Sequence, residues 1–293
     1  MLKKIAVVFI ALSLLSSCSS HRYDRLKISA TTWVGYSPLF YAKGKGWLEP
    51  LNIKLLHVVS LSENMYLYQA GNSDAYVGTQ YEYSVLSPKS PTLFPVMMFD
   101  RSYGGDIVMG NTSIETLQTT LKPIHAYLEM DSINRTLLKD FLKKYHLENK
   151  PITYINQDQA ITSGLTAASV QQPSVIVTYT PFNVKLADNG FHELASTRDG
   201  LDLLVVDAMF TTKKKFEQHR AQFVELKRLI DKAVVALKKN PKEYYQTVKP
   251  YLLELSYDDF MQSLHDIIWI NTKLSKALEA RLKQSDFPTQ GLL

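Results

Sequence analysis

The chain has 293 residues, of which 45% are hydrophobic and 21% charged, and its formal net charge is +5. This composition excludes a disordered chain, a collagen-like repeat and a disulfide-dense small protein, and the charge is too small to indicate nucleic-acid binding. The length suits roughly two domains of common size. The single cysteine, Cys18, excludes an internal disulfide and a multi-cysteine zinc site.

The first residues are typical of an export signal. Lys3 and Lys4 give a positively charged start, and residues 5–15 form an apolar run. That run is too short to span a bilayer comfortably. The pattern therefore predicts a signal peptide over residues 1–17.

The end of this segment, Leu15-Ser16-Ser17-Cys18, resembles the lipobox of bacterial lipoproteins. The resemblance implies cleavage before Cys18, acylation of this cysteine (palmitate included) and a tether over residues 18–25. The alternative is a cysteine that lies by chance beside an ordinary signal peptide. Ser19 follows the cysteine, and lipoprotein sorting rules would then permit transfer to the outer membrane of a Gram-negative cell. The sequence therefore leaves the inner and the outer membrane as alternative locations of the anchor.

The body of the chain begins with alternating strands and helices. Alternating or apolar runs bounded by turn residues predict strands at 26–30, 53–59, 75–79 and 92–99. Helical patterns lie between them, at 39–45, 62–70 and 81–86. This order predicts an α/β lobe with a largely parallel sheet.

A second run of the same kind follows, and after it the chain becomes helical. Strands are predicted at 106–109, 124–128, 152–155, 174–178 and 201–206. Helices are predicted between them at 132–145, 158–168 and 182–189. The tail has four predicted helices, at 214–239, 241–251, 257–271 and 273–284. The sequence thus predicts two α/β lobes and a helical C-terminal tail.

Several motifs in chain order resemble one protein family. The resemblance is carried by Thr32–Ala42 (TWVGYSPLFYA), Lys45-Gly46-Trp47, residues 69–75 (QAGNSDA), 100–108 (DRSYGGDIV), 178–182 (TYTPF) and 202–206 (DLLVV). They resemble segments of the ABC-transporter solute-binding proteins for nitrate, sulfonates, taurine and thiamine pyrimidine precursors. Thr180 departs from this pattern, because an acidic residue usually precedes the proline.

The resemblance implies an α/β, two-lobed type II periplasmic-binding-protein fold with two hinge crossovers. The crossovers are expected near 102–105 and 199–203. Lobe 1 would then comprise residues 26–102 and 204–293, and lobe 2 residues 103–203. Two crossovers form a hinge, so closure around a ligand is the expected motion.

Ligands of open α/β sheets bind beyond the carboxyl ends of the strands, which selects two loops of lobe 1. Aromatic faces and free amide groups follow the first strand, and small polar groups with a ring follow the third. The alternatives are that Trp33 fills the core of the lobe and that Thr79 caps a helix. The candidate ligand-binding residues of these loops are Trp33, Gly35, Tyr36, Ser37, Thr79, Gln80 and Tyr81.

In lobe 2, Asp131, Ser132 and Asn134 lie at a strand-to-helix turn, where a helix N-terminus favours an anion. Asp131 would repel an anion if it faced the cleft. The alternatives are that it caps the helix, or that it points inward and favours a cationic or amine-bearing ligand. Glu129 has the same ambiguity.

The remaining candidates lie at the crossovers and at the end of the last strand of lobe 2. Facing acids such as Asp106 and Asp202 could bind an amino or amidine group, or could hold the hinge through hydrogen bonds to the backbone. Arg101 and Arg198 are the nearest cations, so the sequence does not favour a strongly anionic ligand. These candidates are Ser102, Asp106, Tyr179, Thr180 and Asp202.

Taken together, the sequence predicts a monomeric, lipid-anchored solute-binding protein at the periplasmic face of a bacterial membrane. It would capture a sulfonate-, pyrimidine- or amine-like molecule and deliver it to an ABC permease. The alternative is a ligand sensor that signals to a membrane receptor or signalling enzyme. The sequence has no HExxH motif, P-loop or GxSxG motif, and we expect no metal, no cofactor and no enzymatic activity. The related pyrimidine-forming enzymes carry a cysteine-rich motif that this chain lacks.

Overall fold

The structure is a computed structural model that describes residues 23–293. The predicted signal peptide, Cys18 and most of the tether lie outside the described residues. Within the described part of the chain, no helix combines the length and the hydropathy needed to cross a membrane.

The strands are β1 (Leu26–Thr31), β2 (Ile53–Val58), β3 (Ala75–Thr79), β4 (Leu93–Ser102), β5 (Asp106–Gly110), β6 (Ile124–Leu128), β7 (Ile152–Asn156), β8 (Ser174–Tyr179), β9 (His192–Ser196), β10 (Val206–Thr212) and β11 (Ile267–Trp269). They form two sheets, with strand orders β11-β4-β10-β3-β1-β2 and β7-β6-β8-β5-β9. The first sheet lies in the first lobe and the second sheet in the second lobe. The chain crosses between them after β4 and returns before β10.

The α-helices are α1 (Ser37–Gly44), α2 (Leu61–Gln69), α3 (Gln80–Leu86), α4 (Ile114–Thr119), α5 (Ile133–Lys144), α6 (Gln159–Thr162), α7 (Phe182–Asp188), α8 (Lys213–Gln218), α9 (Arg220–Lys239), α10 (Pro241–Val248), α11 (Tyr257–Ser263) and α12 (Lys276–Gln284). Short 3-10 turns lie at Val34–Tyr36, Ser87–Lys89, Ala167–Ser169, Lys249–Tyr251 and Leu264–Asp266. The central strands β3, β5 and β8 are buried along their whole length, as expected for strands covered on both faces.

Both sheets are mixed, so the prediction of a largely parallel sheet is wrong in part. In the first sheet β1 pairs parallel with β2 and β3, whereas β10 pairs antiparallel with β3 and β4. In the second sheet β6 pairs parallel with its neighbours and β5 antiparallel with β8 and β9. The reason is the crossover: β5 and β10 enter their sheets from the interlobe edge, where β1, β3 and β8 end.

Three predicted elements are wrong in their extent. Residues 201–205, predicted as part of a strand, are irregular, and β10 begins at Val206. The strand β9 has no counterpart among the predicted elements. The helix predicted at 257–271 ends at Ser263, and β11 follows it at the edge of the first sheet. The helix predicted at 158–168 is reduced to the single turn of α6.

Helix caps fix the turns at the interlobe edge. Thr79 Oγ1 accepts a hydrogen bond from the amide of Tyr81 at 3.1 Å, and the Glu82 carboxylate accepts one from the amide of Thr79 at 2.8 Å. This reciprocal pair is a capping box at the start of α3. Ser132 Oγ accepts from the amide of Asn134 at 3.2 Å and caps α5. The cap of α5 is therefore Ser132, and the alternative that Asp131 caps this helix is wrong.

Candidate functional site

A small cavity lies where the edges of the two sheets face each other. Thr31 and Thr79 are the last residues of β1 and β3, Tyr179 is the last residue of β8, and Asp106 is the first of β5. Asp207, the second residue of β10, also lines the cavity, whose free volume of about 10 Å³ leaves room for roughly one water molecule. Both lobes therefore contribute to one narrow cavity at the strand ends, the position at which α/β sheets bind ligands.

Trp33 joins the two lobes across this cavity. Its side chain is buried, and Nε1 donates to the Asp100 carboxylate at 3.2 Å and 3.4 Å from the two oxygens. The indole meets the ring of Tyr179 edge-on, with centroids 6.1 Å apart and planes at 73°. This geometry is favourable for an aromatic pair. Trp33 thus lines the cavity and also packs at the lobe interface.

Two glycines leave room for Trp33. A Cβ at Gly35 would lie 2.0 Å from Asp100 Oδ2 and 2.4 Å from Trp33 Nε1. A Cβ at Gly105, in the first crossover, would lie 2.4 Å from Trp33 Cη2. Gly35 therefore lies behind the cavity wall, and its backbone allows the contact between the indole and the carboxylate.

Buried carboxyl groups surround the cavity. Asp106 and Asp207 line it, and Asp100 and Glu82 lie directly behind, all four at most 4% exposed. Burial raises the pKa of Asp106 to about 7. Burial, with repulsion from neighbouring carboxylates, also raises the pKa of Asp100 and of Asp207. The phenol of Tyr36 donates a hydrogen bond to Asp207.

Further polar contacts connect the lobes beside the cavity. The Glu129 carboxylate, at the end of β6, accepts from the amide and the hydroxyl of Ser62 in the first lobe, at 3.3 Å and 3.4 Å. Burial raises the pKa of Glu129 to about 7. The phenol of Tyr66 donates to Asp131. These two contacts hold the lobes together on one side of the cavity.

Five of the residues predicted from sequence line the cavity. These are Trp33, Tyr36, Thr79, Asp106 and Tyr179. They come from loops or strand ends that are far apart in the chain, and the fold brings them together.

The other candidates of the first lobe lie outside the cavity. Ser37 is buried in the first lobe and accepts a hydrogen bond from Tyr244 Oη at 3.1 Å. The Gln80 amide donates to the carbonyl of Leu204 and accepts from the amide of Val206, so it positions the second crossover. Tyr81 lies in an outer groove.

The other candidates near the second lobe have structural contacts. Ser102 Oγ lies 2.7 Å from Thr197 Oγ1 and accepts from the amide of Asp106, which joins the two crossovers. Asn134 and Thr180 bond to backbone carbonyls, and the two residues Thr180-Pro181 are joined by a cis peptide bond. Asp202 is exposed on the outer groove and pairs with Lys144 at 3.2 Å.

Sequence reasoning missed Thr31 and Asp207. The predicted first strand ends at residue 30, whereas Thr31 is the last residue of β1. Asp207 was hidden because the strand was expected to end at 206. A strand that enters its sheet from a crossover begins at the edge where ligands bind. Applied to the strand after the second crossover, this rule could have identified Asp207. Within residues 23–293, no group of three or more His, Cys, Asp or Glu side chains could hold a metal ion.

Solved structures with the same overall architecture are numerous. The alkanesulfonate-binding protein SsuA from Xanthomonas axonopodis pv. citri, bound to MOPS, superposes with a TM-score of 0.69 at 16% identity, covering 90% of this chain and 92% of that one. The ligand-binding component of an ABC-type import system from Staphylococcus aureus, with zinc bound, gives 0.68 at 13% identity, covering 90% and 92%. A Candida albicans protein described as having the generic periplasmic binding protein fold gives 0.63 at 9% identity, covering 84% and 82%.

The chain has the two-lobed periplasmic-binding-protein fold. At these identities the likeness shows the fold alone. No family model matches the sequence, and no curated protein matches it either. What a periplasmic-binding-protein fold captures is decided by the residues between its lobes, and in this chain those residues carry aromatic rings, hydroxyls, carboxyl groups and the aliphatic side chains of Leu61, Ile133 and Val205.

Proposed function

We propose that this protein is an extracytoplasmic solute-binding protein that captures a small organic molecule between its lobes and delivers it to an ABC permease. The observation that carries the proposal is the narrow cavity at the strand ends, to which both lobes contribute side chains and which would widen for a ligand when the lobes separate. The neighbours described as ABC import components and sulfonate-binding proteins support the transport role.

Capture requires binding and closure but no covalent chemistry. A ligand in the cavity would contact Trp33 from the first lobe and Tyr179 from the second, so it would bind the closed arrangement more tightly than an open one. The hinge would lie at the paired crossovers, where Ser102 and Thr197 meet. The closed arrangement is the form that a permease would recognise.

The proposal includes a lipid anchor at Cys18, which would place the protein at the periplasmic face of a membrane. It is supported by the lipobox-like residues 15–18 and by the position of the chain's one cysteine three residues after the apolar segment. A monomer is sufficient for this role, because the cavity is complete within one chain.

The experiment is a ligand screen followed by an uptake measurement. The protein with Cys18→Ser is heated with sulfonates, taurine, nitrate, aminopyrimidines and amines, and a compound at ~100 times its dissociation constant adds about 2.7 kcal/mol of stability. The compound that binds is then supplied in radiolabelled form to cells with and without the gene. We expect slower uptake without the gene. Unchanged uptake of a compound that the purified protein binds would contradict the transport role.

A further inference from the structure

The cavity has an excess of acidic groups, and the described residues place no basic side chain in its wall. Asp106 and Asp207 line it, and Asp100 and Glu82 lie close enough that each raises the pKa of Asp207. None of the lining residues is lysine, arginine or histidine. Among the ion pairs of residues 23–293, none involves these four acids. Ionised carboxylates are costly to bury without a positive partner, so a ligand that brings positive charge would stabilise their ionised forms.

The two cations at the crossovers do not line the cavity. Arg198 pairs with Asp266 at 2.7 Å, and its guanidinium lies over the ring of Tyr103 at 5.3 Å. Arg101 also lies over Tyr103, at 5.8 Å, and its buried Nε has no hydrogen-bond partner among the described residues. The wall of the cavity therefore contains no cation that would attract an anionic ligand.

Three aromatic rings form much of the remaining wall. Trp33, Tyr36 and Tyr179 all line the cavity, and each is at most 4% exposed. Aromatic faces attract cations through the ring quadrupole, and this attraction is strongest in desolvated sites. The aromatic rings and the acidic groups therefore both favour a positively charged ligand.

Two hydroxyl groups in the cavity indicate how a ligand would be held. Tyr179 Oη and Thr31 Oγ1 are buried, and neither has a hydrogen-bond partner among the described residues. Both residues line the cavity. A hydroxyl group can accept or donate a hydrogen bond, so both oxygens can accept from the N–H groups of a ligand, and the acidic groups beside them favour N–H donors over acceptors.

We propose that the cavity binds a small organic cation whose charge is carried by N–H groups, such as a protonated amine or an amidinium. This rests on the proposed solute-binding function and narrows its ligand class. The positive group lies between Asp106 and Asp207 against the three rings, and its N–H groups donate to the carboxylates and to Tyr179 and Thr31. A sulfonate, the class named for one structural neighbour, would bring its negative charge beside these acidic groups, so we expect it not to bind.

The test compares ligands of nearly the same shape and different charge. Acetamidinium, acetamide and acetate form one series, and propylammonium, 1-propanol and 1-propanesulfonate form a second. Binding to the full mature protein is measured at constant ionic strength by tryptophan fluorescence and by thermal unfolding. We expect each cation to bind at least about tenfold more tightly than its neutral counterpart, and the anions not to bind.

Two variants connect the binding to the cavity. Asp106→Asn keeps the shape of the side chain and removes its charge, and we expect cation affinity to fall at least about tenfold. Asp188→Asn is the matched control, because Asp188 is exposed at the end of α7, and it should leave the affinity unchanged. If Asp106→Asn fails to fold, Tyr179→Phe takes its place, since its hydroxyl makes no bond within the described chain.

The outcomes separate the ligand class from the function. Preferential binding of the cations, lost in Asp106→Asn and kept in Asp188→Asn, supports the proposal. Tighter binding of the neutral or anionic members, or an equal loss in both variants, overturns the cation class and leaves the solute-binding function intact. Absence of binding by every member of both series, together with a blank ligand screen, overturns both.

Discussion

Gly35→Ala tests whether the contact behind the cavity wall is as close as the structure indicates. The added Cβ would lie 2.0 Å from Asp100 Oδ2, 2.4 Å from Asp100 Cγ and 2.4 Å from Trp33 Nε1. Both neighbours are buried, and the hydrogen bond between them holds each in place. The methyl group therefore cannot be accommodated by a movement into solvent.

The expected cost has two parts. Overpacking of a buried site costs about 1–3 kcal/mol. Separating Trp33 from Asp100 leaves buried polar atoms without a partner, which costs roughly 1–3 kcal/mol more. We expect a loss of about 3 kcal/mol in the free energy of unfolding, which corresponds to roughly 5–10 °C in Tm for a chain of this size.

The assay is urea unfolding followed by circular dichroism, with ligand affinity measured on the folded fraction. Gly164→Ala is the control, because Gly164 is exposed and its Cβ would approach only the carbonyl of Ile161, at 3.3 Å. The control should change stability by less than about 1 kcal/mol. Equal stability of Gly35→Ala and the unaltered protein would refute the close packing of Trp33 on Asp100.

Four further predictions follow from the same contacts and from the sequence. Trp33→Ala should weaken ligand binding by at least ~1 kcal/mol through loss of the ring face, as measured by calorimetry. Tyr66→Phe removes the hydrogen bond to Asp131 across the lobes, and should shift interlobe distances measured by double-label fluorescence toward the open form with little change in stability. Burial raises the pKa of Asp106 to about 7. The folded protein therefore binds more protons than the unfolded chain between roughly pH 4 and 7, and the stability of the ligand-free protein should fall across this range by on the order of 1 kcal/mol per pH unit. Cys18→Ser should release the protein from the membrane fraction of cells.

Each of these four has an outcome that contradicts it. Unchanged affinity in a folded Trp33→Ala protein would show that the ring is not part of the binding surface. An interlobe distance in Tyr66→Phe equal to that of the unaltered protein would mean that the contact to Asp131 does not favour closure. Stability that rises between pH 4 and 7 would mean that the buried carboxyl is ionised and paired. Membrane retention of Cys18→Ser would contradict the lipid anchor.

Local patterns predicted the order of most elements and the edge at which the site lies. The loops after β1 and β3 were selected because strand ends in α/β sheets bind ligands, and Trp33 and Thr79 do line the cavity. A local sequence pattern does not show which end of a strand lies at the ligand edge when the strand enters its sheet from a crossover. For this reason Asp207 was missed, and Asp202, five residues earlier, was chosen in its place.

Edge strands were the second difficulty. β11 has three residues, and its sequence, Ile267-Ile268-Trp269, continues an apolar pattern that fits a helix as well as a strand. It becomes a strand because β4 offers unpaired backbone groups beside it. That choice depends on tertiary pairing, which a local pattern does not contain.

The buried acids connect ligand choice to lobe closure. Asp106 comes from the second lobe and Asp207 from the first, so closing an empty cavity brings carboxyl groups together and disfavours their ionised forms. A cation supplies the missing charge only when both lobes surround it. Its affinity for the closed form then exceeds its affinity for the open form, and this difference is the free energy available to drive closure. A neutral molecule of the same shape would fill the space but would not favour the ionised acids, so the residues that select the ligand by charge are also those that make closure depend on it.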